Sequence, residues 1–322
     1  MLQMENLLIV ATQVAVLFAL MAVGALCRRL RLVDEMSVKG MVNVLILVVT
    51  PSLIIDAFQR PFDSSMMRGF LWAILIAFLA HLLLIAAVSL FHCGDAKSRP
   101  VLRLAMVFSN AGFMGIPLEN AILGQAGVFF GIVYVVVFNL FMWSWGLWEM
   151  RKSESEGADV GGAGGKWQSL RPMVVNPGTI GIAAGLPLFL LSITLPPIVR
   201  TPIHMLSDLN TPLAMVVIGF YLAGADFRRV IRTPAAYVAL AVRLVAYPLA
   251  MVGALYALRS HFPREMMLAL VIAAAAPVAA MVSMFASKFE RDVDLSVGLV
   301  SGSTLLSIMT IPPVIAFAME IL

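Results

Sequence analysis

The sequence predicts an all-α polytopic membrane protein, on the basis of its composition, its apolar runs and its loop charges. The chain has 322 residues, of which 61% are hydrophobic and 12% charged, and its mean hydropathy is +0.97. A soluble domain does not need so much apolar surface. Ten apolar runs reach spanning length; they are 7–28, 37–58, 68–91, 100–123, 126–149, 173–193, 202–225, 235–258, 264–288 and 294–319.

These ten predicted spans leave no room for a separate soluble domain, so 1–322 reads as a single membrane domain. The longest polar segment, 150–171, contains Gly161-Gly162-Ala163-Gly164-Gly165 and has the composition of a flexible cytoplasmic linker. It separates a first group of five spans, 7–149, from a second group of five, 172–320.

The loop charges predict an orientation. Sixteen of the 22 cations follow the odd-numbered spans and define what we call the basic side, whereas five lie on the opposite side. The positive-inside rule places the basic side in the cytoplasm and both termini outside, in the cell (inner) membrane. Because the cations come after the first span rather than before it, we expect that span to be retained rather than cleaved as a signal peptide.

The two halves of the chain share features at a nearly constant offset. Ala22-Val23-Gly24 and Ala183-Ala184-Gly185 are 161 residues apart, and so are Thr50-Pro51 and Thr211-Pro212. Pro117 and Pro277 are 160 apart. Since each half would hold an odd number of spans, the second half would be inverted in the membrane. Inverted repeats of this kind are typical of secondary transporters.

The fourth span is interrupted near its middle by Asn110-Ala111-Gly112-Phe113-Met114-Gly115-Ile116-Pro117-Leu118. Asn, Gly and Pro disfavour helix propagation, and freed backbone groups at membrane depth are tolerated only against protein or a water-filled cavity. Transporters use such broken helices to bind solutes near the midplane.

This stretch resembles the fourth-helix motif of the auxin efflux carrier family, which includes plant auxin carriers and bacterial malonate-type transporters. Shorter similarities lie in Thr211-Pro212-Leu213-Ala214-Met215, Ala241-Val242-Arg243-Leu244 and Ala276-Pro277-Val278. The resemblance covers the whole chain and implies ten helices in two inverted five-helix repeats. It also implies a scaffold of spans 1, 2, 6 and 7, and a transport bundle of spans 3–5 and 8–10. Within that bundle, spans 4 and 9 would break at prolines and cross.

The resemblance further implies a secondary transporter of small organic anions, with carboxylates such as malonate as the expected substrates. Asn110 would contact the substrate, although an interhelical hydrogen bond is the alternative for any membrane asparagine. Gly112 and Gly115 would admit the substrate to the backbone, or would serve close helix packing. Pro117 and Pro277 would each begin a half-helix whose positive end faces an anion, the alternative being a simple kink.

Arg243 is the one cation inside a span. Burying it costs about 2.5–3.5 kcal/mol on insertion scales, and such residues are usually functional. It could bind the anion, pair with helix carbonyls at the crossing, or reach the interface. His81 is its near counterpart at an offset of 162, where a packing role and a proton-carrying role are both open.

Few residues in the predicted spans could couple transport of the solute to movement of a proton or a sodium ion. Glu119 and His81 are the plausible proton carriers, and Ser283 is a hydroxyl that a sodium site near Pro277 could use. Asp56, at a span end, is expected to be solvated or to cap its helix. The sequence favours proton-dependent or potential-driven transport, with sodium as the runner-up.

Other functional classes find little support in the sequence. Four histidines and two cysteines offer neither a zinc cluster nor a His-Glu-x-x-His motif, no phosphate-binding Gly-rich loop occurs, and the loop charge bias accounts for the +4 net charge. We therefore expect no enzymatic activity, cofactor, metal or nucleic-acid partner. The expected partners are an organic anion, the lipid bilayer and, as an open alternative, a second copy through the scaffold. An ion channel and a sodium-coupled symporter of another solute remain the alternative functions.

Overall fold

The computed structural model describes residues 2–152 and 177–322, with side chains from Glu5 onward. Most of the predicted linker therefore lies outside the described residues. The described chain is helical throughout, without β-strands apart from one isolated bridge between Ser109 and Val278. The helices, numbered in chain order, are α1 Leu2–Arg29, α2 Glu35–Val44, α3 Thr50–Ala57, α4 Ser64–Ser89, α5 Ser98–Val107, α6 Ile116–Phe141, α7 Leu147–Arg151, α8 Pro177–Leu190, α9 Pro197–Asp208, α10 Asn210–Leu222, α11 Arg228–Ile231, α12 Pro234–Ala241, α13 Tyr247–Tyr256, α14 Arg264–Ala275, α15 Ala280–Lys288 and α16 Val293–Ile321.

Within the described ranges, seven helical stretches are long and apolar enough to cross a membrane. This number is three below the ten predicted spans, because two spans are merged into one stretch and two others are too short. The fourth and fifth are joined in one stretch, Ala111–Arg151, which bends at Gly124. The sixth is represented by α8 alone, with 14 residues. The ninth is divided into α14 and α15.

Single π-turns widen three helices just ahead of a proline. They span Leu45–Val49, Ala111–Gly115 and Val242–Ala246, and each is followed two residues later by a proline. Proline has no N–H, and its ring clashes with the carbonyl four residues earlier. A wider turn removes that clash, so each of these helices continues past its proline.

The helices pack into two groups. In the first, α1 lies along α10 over its length, and α3 packs between α8 and α9. In the second, α14 packs on α6 and α16, and α4 packs on α6. The groups meet where α1 runs beside α16, and their shared apolar core includes Leu17, Met114 and Ile315.

Backbone contact within the first group depends on glycine. A Cβ added at Gly24 of α1 would lie 2.0 Å from the carbonyl oxygen of Val216, and one at Gly219 of α10 would lie 1.9 Å from that of Met21. Likewise, a Cβ at Gly185 of α8 would lie 2.9 Å from the ring of Phe58. The helices α1 and α10 therefore approach more closely than any other residue would allow, and Gly185 makes room for the ring of Phe58.

Candidate substrate site at the paired helix breaks

Two interrupted helices meet through their backbones inside the second group. The Asn110 N–H donates to the Pro277 carbonyl at 2.6 Å, and the Ala279 N–H donates to the Phe108 carbonyl at 2.9 Å. These two bonds form the antiparallel bridge between Ser109 and Val278. The freed backbone groups of one break are thus satisfied by the other, as a low-dielectric interior requires.

The break in the fourth predicted span lies at Phe108–Asn110 rather than at Pro117. The chain becomes helical again at Ala111 through a π-turn, in which the Asn110 carbonyl accepts from both Met114 and Gly115. Pro117 therefore sits inside the resumed helix, where it accounts for the wide turn. Pro277, in contrast, lies within its break, between α14 and α15. Pro117 and Pro277, which correspond to each other in the sequence repeat, therefore lie at different positions relative to the breaks.

Asn110 ends the first break, and Gly112 lies in the first turn of the helix that follows it. Asn110 is 6% exposed, and its side chain neither caps the following helix nor hydrogen-bonds any described residue. A Cβ added at Gly112 would meet no atom within 4 Å. An amide without a partner, two residues from a position with open space, is an arrangement that can receive a solute. Gly115 differs, because a Cβ there would touch Ala273 of α14 at 3.6 Å, so this glycine packs.

Ser303 of α16 supports the second break. Its hydroxyl accepts from the Val278 N–H at 2.9 Å and donates to the Val300 carbonyl of its own helix at 3.0 Å. The Val278 backbone would otherwise have no partner for that N–H in the helical ladder.

Arg243 holds together the ends of α5 and α14. Its side chain is fully buried, and its guanidinium donates to the carbonyls of Val107 at 3.0 Å and of Met106 at 3.3 Å. It also donates to the carbonyl of Ala274 and lies over the ring of Tyr247, 4.7 Å from its centre. The unpaired carbonyls at a helix C-terminus carry partial negative charge, which a guanidinium offsets.

His81 lies in an aromatic cluster of the second group. Its ring stacks on that of Phe141, with centres 5.5 Å apart, and lies tilted against that of Tyr134 at 4.9 Å. Its Nδ1 is 2.8 Å from the Ala77 carbonyl of its own helix. The Tyr134 hydroxyl is in turn 3.2 Å from that of Tyr247. The structure thus connects the surroundings of His81 to those of Arg243 through two tyrosines.

Glu119 and Ser283 have polar atoms without a hydrogen-bond partner among the described residues. Glu119, two residues past Pro117, is fully buried against Gly131. Ser283 lies in the first turn of α15, just after the second break. An unpaired charge at the position of Glu119 would be costly, so it suits a carboxyl that carries its proton.

A separate polar pocket of about 390 Å³ opens on the basic side; it is lined by Asp95, Lys97, Arg229, Arg291, Asp292, Val293 and Asp294. Hydrogen bonds from the Ser98 backbone and hydroxyl lower the pKa of the Asp95 carboxyl. The hydrogen bond to Asp292, at 2.6 Å, raises the pKa of the Arg229 guanidinium. The pocket shares no residue with the helix breaks.

Among the described residues, no group of three or more His, Cys, Asp or Glu side chains is arranged to hold a metal ion.

Comparison with known families decides the class of the protein. A family model described as membrane transport protein matches residues 9–163 and 166–315, which is nearly the whole chain. The chain belongs to this family, the auxin efflux carriers. The resemblance found in the sequence is thereby confirmed, and the protein is a multi-pass membrane transporter. No curated protein matches the chain in a sequence comparison.

Several residues that build this site were not singled out in the sequence. Ser303, Tyr134 and Tyr247 looked like ordinary polar residues of membrane helices, and only the fold brings them to the breaks or to Arg243. A signal did exist for Tyr247, which is four residues after Arg243 and so shares a helix face with it.

Proposed function

We propose that this transporter is a secondary carrier of small organic anions. The observation that carries the proposal is the pair of bridged breaks, with an unpaired Asn110 side chain at the first break and open space at Gly112. Broken helices that meet in this way form binding sites in secondary transporters, where half-helix ends interact with the charged groups of the solute.

The electrostatics of the breaks favour an anion. Arg243 offsets the negative ends of α5 and α14, whereas helix resumes at Ala111 and Ala280 with no capping side chain at either point. Each uncapped N-terminus is worth about 0.3–1 kcal/mol to a nearby negative charge. Arg243 would therefore favour anion binding through the helix ends, without touching the substrate.

The proposed architecture has ten crossings in two inverted repeats. The stretch Ala111–Arg151, with 41 residues, is about twice the length that one crossing needs, and its bend at Gly124 would divide it into two crossings. The close contacts between helices also follow the repeat. Gly24 and Gly219 lie on the touching faces of α1 and α10, and Gly185 of α8 touches Phe58. Gly185 lies 161 residues after Gly24, and Gly219 lies 161 residues after Phe58.

Transport would proceed by alternating access. The first helix group, α1–α3 and α8–α10, would act as the scaffold, and the remaining helices would form the moving transport bundle that carries the breaks. The termini would face the outside of the cell membrane. His81, Glu119 and Ser283 would be the coupling candidates, with Glu119 best placed to hold a proton because its carboxyl is buried without a partner.

The test is transport and binding with purified protein. In liposomes we expect saturable uptake of small mono- or dicarboxylates, with malonate tried first, and stimulation by counter-flow. Uptake of cations alone contradicts the anion assignment, and unsaturable flux without counter-flow favours a channel.

Asn110→Ala should abolish carboxylate binding in a thermal-shift assay while the protein still folds, since only the side chain is removed and the backbone bridge remains. The matched control is Asn139→Ala, because the Asn139 amide donates to the Val135 carbonyl of its own helix at 2.9 Å. Unchanged affinity in Asn110→Ala contradicts the proposed site.

A further inference from the structure

The side opposite the basic loops contains a polar junction that the transport proposal does not use. Asp56, near the end of α3, is 8% exposed and so is not solvated, and its hydrogen-bond partners lie on other helices, so it does not cap its own helix, contrary to the expectation from its position. Its Oδ2 lies 2.9 Å from Nδ1 of His204 in α9 and 3.4 Å from the side-chain nitrogen of Gln125 in α6.

This junction joins the two helix groups. Asp56 and His204 belong to the proposed scaffold, and Gln125 belongs to the proposed bundle, directly after the bend at Gly124. Two residues past Asp56, Phe58 packs on Phe129 of the same bundle helix with ring centres 5.1 Å apart. Any movement of the bundle against the scaffold must therefore change the surroundings of the Asp56 carboxylate.

We infer that Asp56 and His204 form a proton-binding site that controls the position of the bundle. A neutral imidazole supplies one N–H, which Asp56 can accept, whereas an imidazolium supplies two and adds a full positive charge. The second nitrogen of His204 lies 3.7 Å from Asp208, so only the protonated ring presents a donor to both carboxylates.

Protonation from bulk water is feasible because the His204 side chain is 55% exposed. The other charged groups near the pair are Arg200, which faces His204, and Arg60, which faces Asp56. Arg60 is engaged elsewhere, since it donates to the Ala57 carbonyl at 3.1 Å and covers the ring of Phe129. His204 is therefore the switchable partner of Asp56.

The protonated pair stabilises the arrangement seen here, with Asp56 fixed between His204 and Gln125. Loss of the proton removes the positive charge that balances the buried carboxylate, so it costs more to keep Asp56 between the scaffold and the bundle. This inference depends on the proposed movement of the bundle, but not on the nature of the solute.

The experiment measures the bundle position without any substrate. In a background with Cys27→Ser and Cys93→Ser, spin labels are placed at Ile198→Cys on the scaffold and Ala257→Cys on the bundle, both exposed on this side. The distance distribution is recorded in lipid nanodiscs at pH 5 and pH 8. We expect a shift between the two pH values that is lost in His204→Gln, Asp56→Asn and Gln125→Ala.

The matched control is His261→Gln, which removes the other histidine on this side and should keep the pH response. A response that persists in His204→Gln, or an absence of any response in the parent protein, overturns the inference. If the pH response is present but no carboxylate is transported in liposomes, the junction stands and the anion assignment fails, so the two outcomes are distinguishable.

Discussion

At the scale of single residues, several arginines of this transporter donate hydrogen bonds to backbone carbonyls near the ends of helices. The Arg28 guanidinium donates to the Phe220 carbonyl near the end of α10 at 3.1 Å, and that of Arg103 donates to the Ser89 carbonyl at the end of α4 at 2.9 Å. Arg291 donates to Met150 in α7 at 2.9 Å, and Arg243 serves two broken helices at once. The loop cations thus offset helix dipoles as well as biasing orientation.

Arg243→Met should destabilise the protein by about 3 kcal/mol, because it leaves buried carbonyls at two helix ends unpaired at a cost of about 1–3 kcal/mol each. The measurement is thermal unfolding in detergent, with transport lost in parallel. Arg232→Met, at an exposed position on the basic side, is the control and should unfold at the temperature of the parent. An unchanged unfolding temperature in Arg243→Met would show that Arg243 does not hold the breaks together.

The sequence allows only part of this site to be predicted. Arg243 could be identified because a cation inside an apolar span is costly, but three roles were open for it. Its actual partners are backbone carbonyls of α5 and α14, and a carbonyl has no signature in the sequence. The prediction that Asp56 is solvated or caps its helix is wrong because its partners lie on α6 and α9, which are distant in the chain.

At the scale of helices, hydropathy predicted the helical segments well, and the errors concern their interruptions. The predicted boundary between spans 4 and 5 coincides with the bend at Gly124, whose φ of +64° favours glycine. The predicted interruption at 110–118 includes the break at Asn110 but extends too far, to Pro117, because Gly and Pro disfavour helix by propensity. The π-turn at Ala111–Gly115 accommodates that proline, and the pairing with Pro277 and Ala279 fixes the break earlier.

The close contact between α1 and α10 gives a prediction for this scale. Gly219→Ala places a methyl group 1.9 Å from the Met21 carbonyl oxygen, and because both sides are backbone, the helices must separate. We expect a loss of about 1–3 kcal/mol in unfolding free energy, typical of overpacking. Gly253→Ala, where a Cβ would meet no atom within 4 Å, is the matched control and should be neutral. Equal unfolding temperatures for the two variants would contradict the contact.

At the scale of the whole molecule, aromatic packing joins the two helix groups on the side opposite the basic loops. Phe58 of the segment after α3 contacts Phe129 of α6, Phe70 of α4 and Phe189 of α8, and all four rings are buried. Two of these contacts cross from the proposed scaffold to the proposed bundle, whereas the contact with Phe189 stays within the scaffold. Bundle movement must therefore separate Phe58 from Phe129 and leave Phe58 beside Phe189.

This asymmetry allows the proposed movement to be tested with two cysteine pairs that share one position. Ring centres are 5.1 Å apart for Phe58 and Phe129, and 6.2 Å apart for Phe58 and Phe189. In the background without native cysteines, Phe58→Cys with Phe129→Cys, joined by a short thiol-reactive bridge, should abolish carboxylate uptake into liposomes, and reductant should restore it. Phe58→Cys with Phe189→Cys, joined in the same way, should leave uptake at the level of its reduced form, since it ties together parts of one body. Equal inhibition by the two bridges would mean that the interface between the helix groups does not move during transport, and the scaffold and bundle would then be one rigid body.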